Sequence, residues 1–396
     1  MASIDSAPQA APRTFFLNDP VVRGIFYQIV VGVLVVAFFA WIINNTAINL
    51  AAQNKTTGFD FLWKTAGFDI SFTLLPWDRT SYYWEAFLVG LTNTLLVAVI
   101  GIIFATLLGF TIGIARLSSN FIISRLATIY VETIRNIPLL LQLFFWYFAV
   151  LKAMPAVRNS IVLPLDVFIN QRGLFVPKPL PDEQFVWVYA TAAVGIALSL
   201  LLAGWAKARL EATGQRFPVL VASIGIVVGL IAIVWVATGA SMTFDPPVLN
   251  RFNFKGGLEL PPEFVALAFG LTVYTASFIA ETVRGGILAV NRGQTEAAQS
   301  LGLKEGDRLR LVIIPQAMRV IVPPLTSQYL NLTKNSSLGA AIGYPELVNV
   351  FTGTSLNQTG RAIECIAMTM AVYLIFSLTT SVFMNWYNAR VALVER

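Results

Sequence analysis

Long apolar runs alternate with polar joints along this chain, and eight of the runs are long enough to cross a bilayer, which takes about 20 residues of helix. They fall at residues 25–43, 87–115, 185–205, 219–237, 264–280, 311–332 and 363–386, with one more that is broken, a lead-in at 121–134 followed by 137–150. Backbone amides and carbonyls cannot go unpaired in hydrocarbon, so each run is expected to be helical. The run at 311–332 is interrupted by Pro315, Pro323 and Pro324. The carbonyls these prolines free should face protein or a wet cavity rather than lipid.

The joints differ in charge. Arg116 and Arg125 flank one short joint, Lys207, Arg209 and Arg216 fill another, and Arg284, Arg292, Lys304, Arg308 and Arg310 crowd a third. Segments 44–85 and 151–184 are longer and poorer in positive charge. Lys and Arg in short joints set orientation, so the basic joints are expected on the cytoplasmic side, and with an even span count both termini join them. Arg13 and Arg23 precede the first run, and Trp41-Ile-Ile-Asn-Asn follows it without a small-residue cleavage site, so that run is expected to remain as a span. Trp41, Trp84, Trp146 and Trp386 lie near span ends, where an interfacial belt places them. Gly109-Phe-Thr-Ile-Gly113 and Gly225-Ile-Val-Val-Gly229 match the small-residue spacing of close helix packing, a pattern also frequent by chance in glycine-rich membrane chains.

Composition narrows the function classes. Of 396 residues, 56% are hydrophobic and 12% charged, about half the charged fraction of a soluble domain. Cys365 is the single cysteine and there is no histidine, which removes an internal disulfide, a cysteine-based metal site and the commonest general base. The net charge of +6 fits basic residues holding helix ends at the cytoplasmic face, so no nucleic-acid partner is implied. No phosphate loop of the form G-x-x-x-x-G-K-[ST] occurs, so the chain does not bind ATP by that means. A membrane-embedded enzyme would need clustered acids, histidines or metal ligands at one interface; no Ser-His pair, metal cluster or supported carboxylate pair points to covalent chemistry.

The segment from Glu281 to Leu338 is the most informative. Between the sixth and seventh spans it holds a helix-like stretch, Thr295-Glu-Ala-Ala-Gln-Ser-Leu-Gly302. Thr295 is expected to cap the helix, Glu296 suits its first turn, and Gly302 suits the left-handed residue that ends it. Its Ala and Ser face is small enough to enter a groove on another protein; from these residues alone it could equally be a connecting amphipathic turn. Glu296-Ala297-Ala298 with Gly302, followed by Val312-Ile-Ile-Pro315, resembles the EAA loop of binding-protein-dependent ABC importers, with Val312 and Ile314 standing where Ile and Leu are usual. Arg135-Asn-Ile-Pro-Leu-Leu-Leu-Gln-Leu-Phe-Phe-Trp-Tyr-Phe148, Tyr274-Thr-Ala-Ser-Phe-Ile-Ala-Glu281, the run from Pro315 to Asn331, Lys334-Asn-Ser-Ser-Leu338 and Ile342-Gly-Tyr-Pro-Glu-Leu347 resemble segments of polar amino-acid permeases. The overall layout is similar to the larger permease subunits of general L-amino-acid importers in Gram-negative bacteria. It comprises residues 1–86 with the extra span and an external segment, 87–151 as the first part of a permease core, 152–262 as an insertion with two extra spans, and 263–396 as the second part.

The resemblance implies an all-α polytopic bundle of about eight transmembrane helices with the ABC importer permease fold, in the bacterial inner membrane. It further implies a separate ATP-binding-cassette ATPase that holds ATP and Mg, no cofactor on this chain, a periplasmic amino-acid-binding protein, and pairing with a second related permease, a homodimer remaining open. Glu296, Ala297, Ala298, Ser300, Leu301 and Gly302 would form the ATPase-coupling helix. Polar residues inside spans default to a functional reading; here they are Glu132, Arg135, Glu281, Gln328, Asn331, Lys334 and Asn335. Arg135 could also be a helix-end anchor, and Glu281 an ion-pair partner of Arg284 or Arg319. Gln328, Asn331, Lys334 and Asn335 recur at three- and four-residue spacing after the double proline, so one face lining a substrate route is expected. An ion-gradient carrier would share the spans and the intramembrane charges, and what separates it is the coupling loop.

Overall fold

The structure is a computed structural model that describes residues 20–52, 57–215, 217–251 and 253–391. The expectations for Arg13, Arg216 and the two terminal tails lie outside the described residues. Helix α1 (Pro20–Ala52) stands apart, with none of its apolar window buried. Helix α2 (Tyr83–Ala115) opens where the Glu85 carboxylate accepts the Tyr82 amide at 2.7 Å. Helix α3 (Phe121–Asn136) is capped by Asn120, whose side chain accepts the amides of Ile122 and Ile123. Pro138 then disfavours helical backbone at Ile137, and the chain turns by 105° into α4 (Leu139–Phe144), extended by a π-helical turn, Phe145–Leu151. The carbonyls freed at this break are not orphaned: Gln142 Nε2 donates to both Ile134 O and Ile137 O at 2.9 Å. The break expected within this span is therefore real and internally satisfied.

The insertion contains short strands as well as two helices. β1 (Ile161–Leu163), β2 (Val167–Asn170) and β3 (Gly173–Val176) form an antiparallel sheet, and β4 (Lys178–Pro181) leads into α5 (Phe185–Thr213) and α6 (Val219–Thr238). After them come β5 (Met242–Asp245), β6 (Val248–Asn250), β7 (Asn253–Lys255) and β8 (Leu258–Leu260). β8 joins β3, β5 pairs with β4, and β6 pairs with β7. Strands of three or four residues carry no usable alternation, so the hydropathy pattern passed over them. Lys207 and Arg209, expected in a joint, lie in the last turns of α5, which continues until Gly214 takes a left-handed φ of 69°.

The core is built by α2, α7 (Pro262–Leu288), α4 and α10 (Ile314–Asn335), with α8 (Arg292–Ser300) and α9 (Glu305–Arg308) between α7 and α10. α2 and α7 run side by side in the same direction at close range. A Cβ built on Gly109 would sit 2.6 Å from Ile279, and one on Gly113 2.8 Å from the Ala280 carbonyl. Only glycine allows that approach. The interruption expected in the seventh run is absent. α10 continues through Pro323 and Pro324, both exposed on the chain's surface, and Pro315, which has no amide to donate, is its second residue. Its irregularity comes earlier, in a π-helical turn at Leu309–Ile313. Beyond α10, α11 (Leu356–Thr359) and α12 (Ala362–Val391) complete the described chain.

Candidate functional site

Two helices bring the amide residues of the seventh span against aromatic residues of the sixth. Gln328, Asn331 and Asn335 of α10 and Tyr274, Thr275 and Phe278 of α7 line a cavity of about 300 Å³. The spacing of three and four on α10 and of four on α7 places each set on one helical stripe. Carboxamides offer both donors and acceptors, so this wall can hold an ammonium or a carboxylate without fixing its sign.

Lys334 is not part of that wall. At about 100° per residue it lies roughly 120° around the helix from Gln328. It faces α12 instead, in a separate groove of about 680 Å³ with Ser337, Thr352, Thr369, Tyr373 and Ser377 among its lining. The single face expected for the four residues is therefore two faces. Glu132 is exposed on α3 and joins neither.

One turn below Phe278, Glu281 gathers guanidinium groups from three elements. Its Oε2 accepts from Arg116 Nη1, at the end of α2, and its Oε1 accepts from Arg284 Nη2 at 2.6 Å. Arg135 Nη1 lies 3.9 Å from Oε2, beyond hydrogen-bond distance, and its guanidinium carbon stands 5.0 Å from the Phe278 ring centre. The Arg116 side chain is only 10% exposed, and its Nε has no partner. The expected pair with Arg284 is present, and Arg319 makes no ion pair among the described residues. Arg116 was not anticipated. As the first charge after the second run it was visible in sequence, but only the parallel packing of α2 on α7 brings it to Glu281.

α8 follows the C-terminal end of α7. Asn291, not Thr295, caps it: the Asn291 side chain accepts the Gly293 amide at 2.8 Å, one turn earlier than expected, and Thr295 sits within the helix. Gly302 closes it with φ 73°, as its sequence position implied. Of the six expected coupling residues, Ala298 is turned inward, 3% exposed, while Glu296, Ala297, Ser300, Leu301 and Gly302 are exposed, Leu301 to 81%. Gln316 Nε2 donates to Gln294 Oε1 at 3.3 Å and so ties α8 to the start of α10.

Sequence reasoning also passed over Glu346, which lies between the membrane segments α10 and α12 and is fully buried. Its carboxylate accepts the amides of Val348 and Asn349 at 2.8 and 2.7 Å, and burial pushes the carboxyl up to about 7. Beside it, Asn93 Nδ2 donates to the carbonyls of Phe72 and Pro345.

Comparison with known proteins adds four findings. The family model for the binding-protein-dependent transport system inner membrane component matches residues 195–393. The chain is 52% identical over 380 residues to the general L-amino acid transport system permease protein AapQ of Rhizobium johnstonii, covering 96% of this chain and 95% of that one. It is 41% identical over 428 residues to the glutamate/glutamine/aspartate/asparagine transport system permease protein BztB of Rhodobacter capsulatus, covering 100% of both. Among solved structures, a crystal structure of an amino acid ABC transporter with histidines is similar with a TM-score of 0.47 at 22% identity, over 78% of this chain and 95% of that one.

Proposed function

The chain belongs to the binding-protein-dependent transport system inner membrane components, and from that premise we propose that it is the permease subunit of an ATP-driven importer of polar L-amino acids in the bacterial inner membrane. A separate ATP-binding-cassette ATPase holds ATP and Mg and takes the exposed side of α8, a periplasmic binding protein delivers the amino acid, and a second related permease closes the route. The basic joints and both termini face the cytoplasm. The names of the two relatives support the substrate class.

One observation carries the reading: the exposed face of α8 and the amide wall of the cavity belong to one nearly continuous stretch of chain. α8 leads through α9 and the π-helical turn into α10, the Gln294–Gln316 hydrogen bond braces the corner, and α10 bears Gln328, Asn331 and Asn335. With Ala298 seated on its own chain, α8 can present Ala297, Ser300, Leu301 and Gly302 to a neighbour and pass its displacement into α10. Asn331 and Lys334 are exposed on the isolated chain within a membrane span, where a polar surface is costly, and a second permease covering them removes that cost.

The test is Gly302→Asp in the reconstituted importer. No atom lies within 4 Å of a Cβ placed at Gly302, so the side chain points away from this subunit, into the space a partner would fill. ATP-dependent uptake is expected to be lost while the permease still assembles in the membrane. Gly302→Asn, which tolerates the left-handed backbone without adding charge, separates strain from docking. Uptake that survives Gly302→Asp, or that follows a proton gradient rather than ATP, overturns the reading.

A further inference from the structure

The Glu281 cluster is electrostatically lopsided. Arg116, Arg135 and Arg284 surround one carboxylate, and both oxygens of that carboxylate are already taken by Arg116 and Arg284. Arg135 is the guanidinium left over. It donates no hydrogen bond among the described residues: its ion pair is the loosest of the three, 3.9 Å from Glu281 Oε2, and it lies against the face of Phe278. Its side chain is 40% exposed, so its donors are reachable, whereas Arg116 behind it is nine-tenths buried with an unpartnered Nε. Phe278 also belongs to the wall of the amide cavity. The ring is therefore the partition between two compartments: amides of either polarity on one side, an excess of two positive charges on the other.

We propose that Arg135, backed by Arg116 and Arg284, receives the side-chain carboxylate of an acidic amino acid as it leaves the amide cavity toward the cytoplasm, so that the inner half of the route favours substrates of net negative charge. This rests on the importer reading above. A guanidinium offers a planar fork that matches a carboxylate, and a charge-assisted pair of this kind is strong where water is scarce. Neither neighbour competes for the incoming acid, because a fixed anion, Glu281, already occupies each of them. The same fixed anion keeps the cluster from holding the substrate too tightly, since it lowers the local charge from three to two. A cationic side chain meets like charge at this point, whereas a neutral amide side chain passes with only its α-carboxylate to attract it.

The experiment compares uptake of glutamate and of glutamine by the complete importer in proteoliposomes loaded with ATP, for the parent chain, Arg135→Gln and Arg135→Lys. Glutamate uptake by Arg135→Gln is expected to fall at least about tenfold, the scale of one lost hydrogen bond to a charged group, while glutamine uptake falls less than about threefold. Arg135→Lys, which keeps the charge and loses the fork, is expected to restore part of the glutamate rate. ATPase stimulation by the loaded binding protein and the melting temperature of the purified complex report on folding independently. An equal loss for both substrates in a well-folded Arg135→Gln complex, or no loss for either, overturns the proposal. Absence of ATP-driven uptake in the parent complex instead overturns the importer reading, so the two failures are distinguishable.

Discussion

Gly109 and Gly113 of α2 have the same four-residue spacing as Gly225 and Gly229 of α6, yet the first pair is locked against a neighbouring helix and the second faces open space. A Cβ at Gly109 or Gly113 collides with Ala276, Ile279, Ala280 or Val283 of α7, while nothing lies within 4 Å of one at Gly225 or Gly229. The difference is not greasiness. The α6 window is the more apolar of the two but has no buried residue, whereas 67% of the α7 window is buried. Lipid tails are as apolar as leucine, so apolarity admits a helix to the membrane without attaching it to anything. Attachment needs a complementary partner, and α7 supplies one: Ala276, Ile279, Ala280 and Val283 form a stripe at three- and four-residue spacing with room for α2's glycines.

The largest effect expected from breaking this contrast is at the locked pair. Gly109→Leu or Gly113→Leu forces α2 off α7 and is expected to cost more than about 3 kcal/mol, enough to lose the folded permease. Gly225→Leu and Gly229→Leu are expected to stay within about 0.5 kcal/mol, as surface changes do. The yield of monodisperse protein in detergent and its melting temperature check both. Equal damage from the two pairs would mean that α6 is packed where the structure leaves it open.

The N-terminal part of α2 continues the locked side of the comparison, since a Cβ at Gly90 would stand 2.9 Å from the Leu347 backbone, next to Glu346. Glu346 adds a pH dependence on this side of the comparison. The folded chain keeps its proton up to about 7, whereas an ordinary glutamate carboxyl releases it near 4.5. Between these values the folded state binds more protons, so stability is greatest below about 4.5 and falls as pH rises through 7, by up to about 3 kcal/mol. Glu346→Gln imitates the protonated acid and is expected to flatten that slope. Melting curves from pH 4.5 to 8 in which the variant keeps the parent slope would assign the dependence elsewhere.

A smaller effect separates the charge pairs of the two regions. Glu281→Ala leaves the buried Arg116 without its partner, which is expected to cost about 2 kcal/mol, below the full range for a buried pair because Glu281 is 29% exposed. On α5, Lys207 and Glu211 are 3.7 Å apart and both largely exposed, so Glu211→Ala should change stability by only a few tenths of a kcal/mol. Comparable losses from the two variants would put Arg116 in contact with water or with another acid.

Run length made the spans legible in sequence, because hydrocarbon thickness constrains every crossing in the same way, and the start of α5 at Phe185 and of α6 at Val219 coincide with the expected runs. Details that depend on a second element were not legible. The four polar residues on α10 share a spacing, but the phase of that spacing divides Lys334 from the other three, and a one-residue offset of about 100° was enough to misplace it. Thr295 and Asn291 are both good caps, and the choice fell to Asn291 because α8 begins a turn earlier, against the start of α10. Arg116 meets Glu281 across 165 residues of sequence, which no local pattern can report. The six residues expected to couple to an ATPase were singled out by resemblance rather than by pattern, and only the structure separates Ala298, turned inward, from the exposed five.

The smallest effect is expected from removing the open hairpin altogether. α5 and α6 pack on each other, Gly195 against Val227, and the two chain ends that enter and leave them are already paired. β4 and β5 are antiparallel, with Pro181 opposite Met242, and the Asp182 amide donates to Ser241 O at 3.2 Å. Residues 183–240 can therefore be replaced by Asn-Gly, a two-residue link that suits an antiparallel turn, without moving either strand. Among the described residues, the close glycine contacts of α2 are made to α7, to Leu332 of α10 and to Leu347, none of them in the excised helices, so the shortened chain is expected to melt within a few degrees of the parent and to keep ATP-dependent uptake within about threefold. Retained stability with abolished uptake would separate the two properties and give the hairpin a role in assembly with the partner subunits. Loss of both would show that the core and the hairpin fold as one unit, and the contrast between locked and open helices would then fail at its root.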